Sequence, residues 1–95
     1  MIYLAMAKIA GTREYGDVAV NARNKREARS LVRREVERQQ ELGVGETIAS
    51  GRVQVYAIER YGEGLLYDKE SYNDEFWTMF KDLEPNEALI WDWGT

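Results

Sequence analysis

The 95-residue sequence has no cysteine, no histidine, a single proline and no long apolar run. Without cysteine there is no disulfide framework, no thiolate nucleophile and no zinc knuckle. Without histidine the usual neutral-pH base is missing, as is the commonest metal ligand. No cofactor and no metal is therefore implied. The apolar stretch at residues 2–7 is far short of the ~20 residues that span a bilayer. No basic segment precedes it, so the expectation is a cytoplasmic chain without a signal peptide or membrane partner. Eight glycines and one proline against 44% hydrophobic residues exclude a disordered or low-complexity chain.

What is present fits one small domain over residues 1–95. A chain of this length buries roughly 60–65% of its unfolded surface, enough for one core. Its net charge of −4 conceals a partition. Residues 1–38 sum to +4, residues 39–58 to −1 and residues 59–95 to −7. A basic block thus precedes an acidic segment rich in Tyr, Phe and Trp. Such asymmetry bears on partners and association rates rather than on fold.

The pattern predicts the order ββαββαβ. Residues 2–9 (IYLAMAKI) read as a first strand and residues 17–22 as a second, paired antiparallel through the loop from Gly11 to Gly16. Asn24 followed by Glu27 has capping-box spacing and opens a helix. Ala28, Leu31, Val32, Val36 and Leu42 form its apolar arc, and Gly43 ends it. Residues 52–60 alternate as a third strand, Leu65, Leu66 and Tyr67 suit a short fourth, and residues 88–93 (ALIWDW) suit a last. Ser71 and Asp74 repeat the capping spacing before a second stripe of Tyr72, Phe76, Met79, Phe80 and Leu83. The expected fold class is α+β: a two-layer sandwich with an antiparallel sheet of four to five strands and two amphipathic helices.

Candidate chemistry is sparse. Gly43, Gly45 and Thr47 resemble a phosphate loop only superficially, because a helix precedes and a strand follows. Asp74 with Glu75, or Glu84 with Glu87, could pair for acid–base work. Their expected positions on exposed faces or in a turn leave them without the burial that tunes a catalytic carboxylate, so the chain reads as non-enzymatic.

Two surfaces remain. In the acidic third, Trp77 falls about 140° from Tyr72 and roughly 100° from Phe76, off the apolar stripe. With Glu63, Asp68, Glu70, Asp74 and Glu75 it makes a candidate site for a protein partner with a basic surface. Trp91 and Trp93 add two indoles on one strand face, where the plainer reading is core. The alternative is nucleic-acid binding through Arg26, Arg29 and Arg33, which cluster within about 60° on the helix's expected solvent side. Against it stand the sequence pI near 4.9 and oppositely charged neighbours at helical spacing: Arg33–Glu37, Arg34–Glu37 and Arg38–Glu41 read as ion pairs. A third reading is a self-associating structural protein, a homodimer paired through the edge of the first or last strand.

The run DVAVNARNKREAR at residues 17–29 passes from a hairpin strand directly into a capped helix. With the small size, the acidity and the missing Cys and His, the chain resembles the phage-encoded inhibitors grouped as anti-CRISPR proteins. The matching run covers 13 of the 95 residues, and the group has no common motif from which site residues could be carried over. The resemblance implies stoichiometric binding to a bacterial defence complex, with carboxylates occupying a basic nucleic-acid-binding surface.

Overall fold

The computed structural model describes residues 1–43, 48–60 and 78–95. These form four strands and one α-helix: β1 (Ile2–Ile9), β2 (Tyr15–Asn21), α1 (Lys25–Leu42), β3 (Val53–Arg60) and β4 (Ala88–Gly94). The class is α+β with an antiparallel sheet, in the order β3-β1-β2-β4. The second helix and the strand expected at Leu65 lie outside the described residues. Thr78 holds one helical residue, followed by turns up to Asp82.

β1 and β2 are a hairpin in which Ile2 faces Asn21 and Lys8 faces Tyr15. Gly11 supplies the left-handed φ of 77° that its turn requires. The Thr12 hydroxyl ties the loop together, donating to the Ile9 carbonyl at 2.8 Å and accepting from the Glu14 N–H at 3.1 Å. β1 lies in the sheet interior between β3 and β2, so it is not an edge through which copies could pair. β4 is an edge among the described residues.

The helix begins and ends where its sequence signals stand. Asn24 accepts from the Glu27 N–H at 2.9 Å, and Gly43 closes the helix at φ 57°. Only half of the capping box forms, because the Glu27 carboxylate turns to Arg23. Ala28, Val32 and Val36, one helical turn apart, are fully buried against the sheet. Their partners are Tyr3, Ala5, Ala7 and Ile9 of β1, Val18 and Val20 of β2, Val53 and Val55 of β3, and Trp93. Period-two alternation puts these strand residues on a single face, and the alanines let the helix sit close. Leu42, expected on the apolar arc, is exposed; it lies at the helix end, past the sheet-packed turns.

The other face is not bare. Leu4 and Ala19, which point away from α1, are fully buried, and so is Phe80. Met79, expected beside Phe80 in one stripe, is exposed, since the described part of that segment turns rather than continuing as a helix. The Asn21 side chain donates to the Leu83 carbonyl at 2.8 Å and anchors this segment to the end of β2.

Candidate interaction surface

The C-terminal strand separates its two tryptophans. In even alternation Trp91 and Trp93 would share a face. The β2–β4 register instead shifts between Asp17 and Val18: Asp92 faces Asp17, but Ile90 faces Val18, so Trp91 is the extra residue of a bulge. Trp93 enters the core at 7% exposure, and Trp91 is left 43% exposed. The Trp91 ring meets Phe80 edge-to-face at a centroid distance of 5.4 Å.

Trp93 is held from three directions. Its indole N–H donates to Glu14 Oε1 at 2.9 Å. The same oxygen accepts from the Ala49 N–H at 3.0 Å, which ties the segment before β3 to the hairpin. These two bonds, that from Ala49 foremost, hold the Glu14 carboxyl below its ordinary pKa. Gly16 completes the seat: a Cβ there would stand 2.2 Å from the Asp92 carbonyl and 2.5 Å from the indole. Only glycine leaves room for the strand and ring to pass so closely.

Beside this strand lies an open groove of about 510 Å³. Glu35, Arg38 and Gln39 of α1 line one side, residues 87–93 the other, with Ile48 between. Arg38 forms a bidentate pair with Glu35, at 2.8 and 2.6 Å. Arg38 is the chief reason that the Glu35 carboxyl is held below its ordinary pKa. Glu35, Glu87 and Asp92 against Arg38 leave the described lining with two excess negative charges. Leu89 and Trp91, 46% and 43% exposed, give it an apolar rim.

The basic flank of α1 is arranged differently from expectation. Arg26, Arg29 and Arg33 are all exposed, as their expected solvent side requires, but one of them also reaches β3. Arg29 Nη1 donates to the Val55 carbonyl of edge strand β3, so this arginine serves the sheet. None of the expected pairs Arg33–Glu37, Arg34–Glu37 and Arg38–Glu41 forms. The ion pairs on this helix are Arg23–Glu27 and Glu35–Arg38. A carboxylate nearer the sheet is better held by its neighbours, so Arg38 turns back to Glu35, 15% exposed, rather than forward to Glu41. Arg23, just ahead of the helix, is the partner of Glu27 at 2.8 Å.

Of the acidic candidates, Glu63, Asp68, Glu70, Asp74, Glu75 and Trp77 lie outside the described residues. Sequence reasoning missed Leu89, Trp91 and Glu35 as surface elements. The acid–aromatic composition near the C-terminus was their only signal, since the bulge that turns Trp91 out has no local signature. Among the described residues no charged side chain is buried, no three potential metal ligands cluster, and no helix is long and apolar enough to cross a membrane.

The described residues thus make a one-helix, four-strand α+β layer pair with an open edge beside its helix. No known protein family, curated protein or solved structure matches the chain.

Proposed function

We propose that this protein is a non-catalytic binding module that captures an extended, basic segment of another protein along β4 and the groove beside α1. The observation that carries this reading is the exposed pair Leu89 and Trp91 on an edge strand that borders an acidic groove. An edge strand offers backbone donors and acceptors to an added strand, alternate side chains of which enter flanking pockets. A half-exposed Trp on a rigid strand is a strong anchor, because it supplies large contact area at small entropic cost. The excess negative charge of the lining selects Lys and Arg in the ligand and speeds their approach.

The acidic residues Glu63, Asp68, Glu70, Asp74 and Glu75, with Trp77, lie outside the described residues and belong to the same reading through the negative charge they add to the chain. A phage-type inhibitor that occupies the basic nucleic-acid-binding surface of a defence complex is one protein such a module would be. Binding is tested on an array of ten-residue extended peptides that alternate Lys or Arg with Val or Ile. Trp91→Ala and Leu89→Ser should each weaken capture at least tenfold, with the fold intact by circular dichroism. Equal binding by both variants and the parent would exclude this edge. Joint charge reversal of Glu70, Asp74 and Glu75 should slow association, most at low salt. An unchanged rate at low salt would remove those residues from the site.

A further inference from the structure

The sheet face opposite α1 carries a second feature, at the hairpin end. Lys8 stands on β1 between Tyr15 of β2, directly opposite it, and β3 on its other side. The β1–β3 register shifts between Met6 and Ala7, which makes Tyr56 the extra residue of a bulge. The bulge brings Tyr56 beside Lys8, whose ammonium lies 5.7 Å from the ring centroid. Tyr15 and Tyr56 are 50% and 49% exposed. With Thr12, Arg13 and Glu14 these residues line a shallow hollow of about 300 Å³.

The charges of the hollow are uneven. Lys8 and Arg13 have no ion-pair partner among the described residues. The one acid of the described lining, Glu14, is held ionised by its bonds from Ala49 and Trp93, so that lining keeps a single excess positive charge. Asp17 and Asp92 face each other one row further along the sheet, so negative charge bounds the hollow on that side. The Tyr56 hydroxyl is pushed above its ordinary pKa, first by burial and then by Asp17 and Tyr15, so this phenol stays neutral at physiological pH. Neutral aromatic faces flanking a cation on an antiparallel sheet are suited to stacking bases while the cations hold the phosphates.

We propose that this hollow binds single-stranded nucleic acid: one or two bases stack on Tyr15 and Tyr56, and Lys8 and Arg13 contact the adjoining phosphates. The acids beyond it confine the footprint to a short stretch, and the acidic remainder of the protein makes binding weak and sharply salt-dependent. This site is separate from Arg26, Arg29 and Arg33, and it stands whether or not the β4 edge binds a peptide.

The test is fluorescence anisotropy of a labelled eight-nucleotide oligo(U) and oligo(dT), at 20 mM salt, with the full chain. The parent should bind, and the double variant Tyr15→Ala/Tyr56→Ala should lose about tenfold or more in affinity. Tyr15→Phe/Tyr56→Phe should retain binding, since stacking needs the ring and not the hydroxyl. Lys8→Gln/Arg13→Gln should flatten the salt dependence. No binding by the parent would overturn the proposal. So would loss of binding on Arg26→Gln/Arg29→Gln/Arg33→Gln with the tyrosine variant unaffected. Competition by heparin as effective as by oligo(U) would show a polyanion site without base stacking. Competition by uridine monophosphate at the same concentration as oligo(U) would show a site for free nucleotides instead.

Discussion

Among the described residues, the two outer strands of this sheet are built from similar parts and end in different states. β3 and β4 each carry a bulge that turns an aromatic residue outward, Tyr56 in one and Trp91 in the other. On the β3 side the helix closes down: Arg29 reaches the Val55 carbonyl, and the Gln40 amide donates to the Ala49 and Gly51 carbonyls at 2.7 and 3.1 Å. On the β4 side the helix stands off. Glu35 and Arg38 satisfy one another there instead of the strand, and the groove remains between. An exposed strand edge invites unwanted pairing, and proteins commonly cover it. Among the described residues, a helix side chain bonds to the β3 backbone, while β4 borders the open groove with its half-exposed Trp91. That difference is why the proposed partner site is placed on β4.

The largest effect that would break this comparison is on the fold itself. Trp93→Ala should cost about 3–5 kcal/mol, because it removes a buried indole with its seat on Gly16. Thermal unfolding of the variant checks this. Trp91→Ala, two residues away, should cost only about 1 kcal/mol, the order of its edge-to-face contact with Phe80. Similar losses for the two would mean that the bulge does not separate them.

Glu14 comes next. Its carboxylate accepts from both Trp93 and Ala49, so Glu14→Gln should destabilise the protein by roughly 1–2 kcal/mol at neutral pH. A carboxyl with a lowered folded pKa contributes stability that is present above its unfolded value and lost as pH falls through the folded value. The gap between parent and variant should therefore be widest at neutral pH and shrink below about pH 4.5. Urea midpoints measured from pH 7 to 3 give the result, and a gap constant with pH would contradict it.

Smaller still is the covering of β3. Arg29→Ala should cost about 1 kcal/mol, or a 4–8 °C fall in melting temperature, and should raise the tendency to self-associate through that edge. Light scattering checks the second part.

Much of this was legible in the sequence, for local reasons. The strands at residues 2–9, 52–60 and 88–93 and the helix between Asn24 and Gly43 follow from alternation, capping and a left-handed glycine, each a property of neighbouring residues. What escaped reading depends on residues distant in sequence. The central place of β1 comes from which strands meet, and the divergence of Trp91 and Trp93 comes from a register shift against β2. The turn of Arg38 toward Glu35, and of Arg29 toward Val55, depends on the packing of α1 on the sheet. Glu14, in the sequence only a polar loop residue, joins three segments, because Trp93 arrives beside it from 79 residues away.

The most direct measurement is a nuclear magnetic resonance titration of the labelled protein with an extended Lys–Val peptide. The account predicts that amide shifts move at residues 88–93 and at Glu35 and Arg38, with β3 and the Arg26–Arg33 flank unperturbed. Shifts concentrated on β3 or on that basic flank, with β4 unmoved, would contradict it.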